Sequence, residues 1–205
     1  MIEWSQEEKR IPLSETNFQK IVDFYLFNCP CEIEKGTKKK GTKTYTKVSK
    51  RASTLRMQGW TGGYLNTLLA AIKRTSSNHL EYHPVESGKD IIRETANIEK
   101  NASMSDKYFE MIIFAKRSDM NLTSSIFYYI RNAFAHGSFS VISDKARKIY
   151  YLESEKEGVV KARIRLNEET LLKWIKDFAL SPGVLRSELE KNRQSKRKTA
   201  KKVAA

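Results

Sequence analysis

Apolar residues recur at helical spacing in several stretches of the chain, and each predicts an element. Phe18, Ile21, Val22 and Tyr25 make one stripe over residues 15–28, with Ser14 placed to cap it. Leu65, Leu68, Leu69 and Ile72 share a face within residues 61–74. Residues 90–101 carry a weaker pattern. Residues 105–117, "SDKYFEMIIFAKR", put Tyr108, Phe109, Ile112 and Ile113 behind Ser105 as a cap, which predicts another helix. Residues 121–135 are apolar nearly all round, through Ile126, Phe127, Tyr129, Ile130, Ala133 and Phe134, so this helix is expected to be buried. Gly137 is placed to end it.

The period then changes from 3.6 to 2. Residues 138–142, 148–153 and 159–166 predict short strands, the last two joined by a hairpin turn at "SEKEG". In the third strand Val160, Ala162, Ile164 and Leu166 alternate with Lys161, Arg163 and Arg165, which predicts an apolar face and an exposed basic one. Asn167 is expected to cap a last helix to Leu180, whose buried stripe is Leu171, Trp174, Ile175 and Phe178. Residues 75–89, broken by Pro84 and Gly88, predict a loop. The expected fold is mainly α: a helical bundle with a small antiparallel sheet, residues 138–166, inserted before the last packed helix. Residues 1–185 would form one domain and 186–205 a disordered tail.

Charge adds a partner to this picture. Of the chain's net +14, residues 35–51 contribute a surplus of eight and residues 186–205 a surplus of six, so the rest is neutral. Two local cationic segments suit a polyanion such as nucleic acid, because lysine and arginine release its condensed counterions. Read blandly, the same segments are a solubilising loop and a solvated tail. With 205 residues and 40% hydrophobic content the chain can bury a core. No apolar run is long enough to span a membrane. No signal-peptide pattern opens the chain. Its two cysteines, Cys29 and Cys31, read as free thiols of a cytoplasmic protein.

Candidate chemistry gathers at "FYYIRNAFAHGSF", residues 127–139. Arg131 and His136 lie five positions apart, which on a continuous helix separates them by about 140°. Unwinding before Gly137 would let the imidazole swing back to the guanidinium. Asn132 could orient either group or a phosphate oxygen. Histidine can give or take a proton near neutrality, and arginine matches phosphate oxygens with a planar fork. The bland alternative pairs Arg131 with a carboxylate and leaves His136 as a helix cap.

The stretch "RNAFAHG", the helix "SSIFYYI" before it and the strands after it resemble the HEPN family, small plasmid- and phage-borne members included, over roughly residues 105–180. The resemblance implies a helical bundle that dimerises about a two-fold axis. Many members are metal-independent endoribonucleases acting as toxins or anti-phage effectors, with paired arginine and histidine at the dimer cleft. Carried over here, the catalytic residues would be Arg131, Asn132 and His136. Residues 137–139 lack the tyrosine that partner enzymes modify in some members. The expected activity is cleavage of single-stranded RNA to a 2′,3′-cyclic phosphate, with no metal and no cofactor. An antitoxin or regulatory protein is a possible partner. Lys38, Lys39, Lys40, Lys161, Arg163 and Arg165 would gather the RNA, and Tyr128 or Tyr129 could stack on a base. The rival is a HEPN-like module that binds nucleic acid or protein without cutting. His79 and His83, four apart in "HLEYHP", have the spacing of a helical zinc pair but no clear third ligand. "GWTGGYLN" lacks the Lys-Ser/Thr of a phosphate loop and reads as a turn.

Overall fold

A computed structural model describes residues 15–30, 34–39, 42–47, 55, 57–77, 79–102, 109–144 and 147–203, with side chains described outside 34–47, 102, 144 and 196–203. At its centre is a five-stranded sheet, not a helical bundle, which corrects the mainly α expectation. The chain runs α1 (Thr16–Val22), a π-helical turn (Asp23–Asn28), the hairpin β1 (Glu34–Lys39) and β2 (Thr42–Lys47), α2 (Gly63–Ile72), β3 (Leu80–Val85) and a 3₁₀ turn (Gly88–Asp90). It continues through α3 (Ile91–Ala102), β4 (Glu110–Ala115), α4 (Leu122–Ala135), β5 (Phe139–Asp144), β6 (Arg147–Lys156), β7 (Val159–Asn167), α5 (Glu168–Ala179) and α6 (Pro182–Val203). The sheet order is β3-β4-β7-β6-β5. β3 and β4 are parallel, and the other three pairings are antiparallel.

The largest departure from the pattern is β4, placed where a helix was expected. All six of its residues are buried. Ile112 and Phe114 enter the main core with α1, α2, α4, α5 and α6, while Met111 and Ile113 face α3 with Ile91, Ile98 and Phe109. A strand covered on both faces has no polar side, so its sequence shows no alternation and can equally be a turn of buried helix. The proposed Ser105 cap and Tyr108 lie outside the described residues, as does Ser14.

β3 was obscured by Pro84. It lies at the sheet edge, where a missing N–H is tolerated. The three strands expected after residue 137 are present, but they are the larger part of the central sheet and not an inserted piece. Within residues 35–51 the described backbone forms the β1–β2 hairpin, with Lys38 opposite Lys43, in place of a loop. The expected disordered tail is helical to Val203. Pro182 stands at the first position of α6, where its ring suits the helix, and Leu185 and Leu189 are buried against the main core.

β4 is tied at its head by a buried carboxylate. Glu110 is fully buried. Its Oε1 accepts from the Asn167 N–H at 2.9 Å and its Oε2 from the Ser77 N–H at 2.9 Å. Asn167 stands at the N-cap position of α5, but its amide donates to Ser76 Oγ at 3.1 Å and not to the helix it precedes. Thr170 Oγ1 in turn accepts from the Ser76 N–H at 2.7 Å. The start of β4, the segment before β3 and the β7–α5 junction are thus one hydrogen-bonded knot.

The β6–β7 hairpin closes with two residues at positive φ, Glu157 at 55° and Gly158 at 72°. This is the turn whose twist matches paired strands, but the first position prefers Asn or Gly to Glu. Glu157→Asn is therefore expected to stabilise the protein by roughly 0.5–1 kcal/mol in chemical denaturation. Glu110→Ala leaves two buried N–H groups without an acceptor, and should destabilise by about 2–4 kcal/mol in the same assay.

Candidate functional site

The two parallel strands end side by side, and the Lys116 N–H donates to the Val85 carbonyl at 2.7 Å just beyond them. Past these carboxyl ends lies a groove of about 560 Å³. In sheets with parallel strands this is where ligands are usually held. One wall comes from the segments after β3 and β4, through Glu86, Lys116 and Arg117; another comes from the β6–β7 hairpin and Lys161. The remaining wall is α4, which presents Tyr128, Asn132 and His136.

Those three residues are spaced by four, so a regular helix stacks them along one face. α4 stays regular to its end. Asn121 Oδ1 caps it by accepting from the Ser124 N–H at 2.9 Å, and the His136 N–H still donates to the Asn132 carbonyl at 3.0 Å. The turn comes one residue later. Gly137, at φ 66°, lets its N–H reach the Phe134 carbonyl at 3.2 Å and the Ser138 N–H reach the Ala133 carbonyl at 2.9 Å. The helix therefore does not unwind before the histidine, and His136 stays in line with Asn132. Arg131 is one position round the helix, about 100° away, and does not line the groove.

Among the described residues no side-chain hydrogen bond or ion pair engages Arg131, Asn132 or His136. Arg131 therefore has no described carboxylate partner. Asn132 is half-buried and His136 exposed.

The two tyrosines before Arg131 have separate surroundings. Tyr129 is buried, and its hydroxyl donates to the Ala115 carbonyl at 2.9 Å. Burial pushes its phenol up to about 12. Tyr128 faces the groove, with the Arg117 guanidinium 4.4 Å from its ring centroid. Arg117 donates from Nε to Asp119 Oδ1 at 2.9 Å and from Nη2 to Asp119 Oδ2. These bonds hold the Asp119 carboxyl below its usual range. Lys116 pairs with Glu86, and Lys156 lies 3.8 Å from Glu157. The sequence pattern did not single out Arg117 or Lys116, because they follow β4 in a stretch that looked like a helix end.

The expected basic row of β7 is split three ways. Lys161 lines the groove, and no described ion pair engages it. Arg163 donates to Glu153 Oε2 at 2.7 Å. Arg165 is only 5% exposed, with its guanidinium 4.2 Å from the Phe109 ring centroid and 5.5 Å from that of Tyr151. It pairs with Met111 across the β4–β7 ladder and so lies on the face that α3 covers. A helix on that face, unforeseen while β4 read as helical, removes Arg165 from the surface. Lys161 is also the extra residue of a β-bulge, since Ser154 pairs with Ala162 and Glu155 with Val160. That turns Val160 away from Ala162 and towards α3. Lys38 and Lys39 lie on β1 in backbone; Lys40 lies outside the described residues.

His79 directly precedes strand β3 and His83 lies within it, so they are no helical pair. Their Nε2 atoms bracket one carboxylate, Glu81, at 2.6 and 2.8 Å, and His83 Nδ1 lies 3.0 Å from Glu94. Among the described residues no three His, Cys, Asp or Glu are grouped to hold a metal. Cys29 is buried, and Cys31 lies outside the described residues.

The hydrogen bond from His83, with that from His79, outweighs burial and lowers the Glu81 carboxyl. A depressed carboxyl stabilises the fold above its ordinary value and loses that contribution as pH falls through the lower one. Glu81→Gln should thus cost on the order of 0.5 kcal/mol at pH 6, as for a half-exposed pair. The gap should narrow as pH falls below about 4.3, where the unfolded carboxyl protonates, and close once pH passes below the depressed folded value. Urea melts of both proteins across this range check it, and a gap that does not change with pH contradicts it.

No family model, curated protein or solved structure matches the chain.

Proposed function

We propose that this protein is a metal-independent endoribonuclease that binds RNA in the groove and uses His136 for proton transfer. One observation carries this reading: His136, in line with Asn132 and Tyr128, opens onto a groove that also holds Lys161. His79 and His83 are both committed to carboxylates, and among the described residues no such partner engages His136.

The reaction needs few groups. A base takes the proton of the ribose 2′-hydroxyl, the 2′-oxygen attacks phosphorus, and the 5′-oxygen leaves with a proton from an acid. Imidazole can serve at either step. Lys161 supplies a cation for the phosphate oxygens and Asn132 an amide to orient them. In a homodimer a second His136 provides the other proton-transfer group. The lysines of β1 and β2 and the basic stretch of α6 draw in the polyanion. Cellular damage by such an enzyme fits a toxin or anti-phage effector, with an antitoxin or regulatory protein as partner.

The position of Arg131 favours a second reading. Without that arginine in the groove, one chain does not bring together the Arg–His pair that the HEPN resemblance implies, and the groove would bind RNA without cutting it. The readings separate in cells. For an enzyme, His136→Ala relieves toxicity on overexpression. For a binder, toxicity survives that change and falls with removal of charge at 35–51 or 186–205.

In EDTA, the purified protein should cut RNA to 2′,3′-cyclic ends, and His136→Ala should slow cutting by at least about 100-fold. Arg131→Ala should act only if Arg131 reaches the phosphate across a dimer. Cutting that persists in His136→Ala, or that EDTA abolishes in the wild type, overturns the enzyme.

A further inference from the structure

The groove's arginine is placed for a different task from holding a phosphate. We propose that Arg117 and Tyr128 form the seat for one unpaired base of the RNA, an assignment that rests on the RNA reading of the groove.

The seat is built in layers. Tyr129 is anchored through its hydroxyl on the Ala115 carbonyl at 2.9 Å. Tyr128 packs edge-on against it, with ring centroids 5.4 Å apart and planes at 73°. The Arg117 guanidinium lies over the Tyr128 ring, 4.4 Å from its centroid. Asp119 fixes that guanidinium by two bonds, from Nε and from Nη2. The Arg117 side chain keeps 26% of its surface exposed, and both it and Tyr128 line the groove.

Charge decides what such a seat can hold. Asp119 offsets the charge of Arg117 at contact distance, so the pair is a weak phosphate clamp. What it still offers is a rigid, flat, polarisable surface. Nucleobases stack on tyrosine rings and on guanidinium planes, and this stacking depends little on base identity. A base within a duplex already has neighbours on both faces and cannot enter. The seat therefore selects single-stranded over paired RNA without reading sequence. The phosphate contact falls to Lys161, which no described ion pair engages.

The test measures binding apart from cutting, in a His136→Ala background. Fluorescence anisotropy follows a labelled single-stranded oligoribonucleotide and the same strand annealed to its complement. The single strand should bind at least about tenfold more tightly. Arg117→Ala and Tyr128→Leu should each weaken single-strand binding about tenfold or more and leave duplex binding unchanged. Arg117→Lys keeps the charge but not the plane, so it should lose as much as Arg117→Ala. Lys161→Ala should weaken both probes and reduce the salt dependence. Melting temperatures identify any variant that fails to fold, and Arg117→Lys then decides for Arg117. Single-strand binding that ignores Arg117→Lys and Tyr128→Leu in folded protein overturns this assignment alone. Binding of neither probe by the parent overturns the RNA reading, and the seat with it.

Discussion

β4 has to be covered on both faces at once, and the layout of the chain follows from that. Met111, Ile112, Ile113 and Phe114 are each fully buried. Burial of four such side chains contributes roughly 10 kcal/mol in gross terms, the scale of a whole domain's net stability. No single layer of helices can supply it. Hence α3 packs on one face, and α1, α2, α4, α5 and α6 gather on the other. Glu110 accounts for the other end of the strand. Placed in that dry interior, it is tolerable because two backbone N–H groups meet its oxygens, and in meeting them they fix the segment before β3 and the start of α5.

The groove is a consequence of the same strand. β3 pairs with β4 in parallel, with α3 between them in the chain, so both strands deliver their following segments to one end. α4 begins soon after β4, and its Tyr129 hydroxyl on the Ala115 carbonyl holds the second half of the helix against the same end. The chemistry-bearing residues therefore come from four separate stretches: 86–88, 115–117, 128–136 and 154–161. A rigid strand end, a regular helix and a tight hairpin surround the groove, which suits a site that must hold groups in fixed relation.

Much of this was legible in the chain. The stripes of α1, α2 and α5 each depend on one buried face, and one-faced elements write their period into the sequence; α4 was legible from its unbroken apolar length, and β7 from charged residues alternating with apolar ones, although Arg165 and Tyr151 show that β7 and β6 are covered on the second face as well. β4 writes none, because both faces are covered, and its misreading turned a central sheet into a minor insertion. Pro84 hid β3, since an edge position cannot be told from a loop without knowing the neighbour. For the site, Asn132 and His136 were found from residue type and their place at a helix end. The expected swing of His136 towards Arg131 failed because Gly137 turns the chain after the histidine and not before it. Arg117 was missed because its value lies in Asp119 and Tyr128, contacts made only in the fold. Arg165 was overvalued for the converse reason: alternation gave it a face, and α3 then covered that face.

The histidines offer the most direct view of the central claim, that His136 faces bound RNA. The chain has three, so their ring signals can be assigned by single substitutions and followed by NMR. On titration with a short single-stranded oligoribonucleotide, the account predicts a progressive shift of the His136 ring signals, with those of His79 and His83 unmoved behind their carboxylates. A saturable shift at His79 or His83 with His136 unchanged would contradict it.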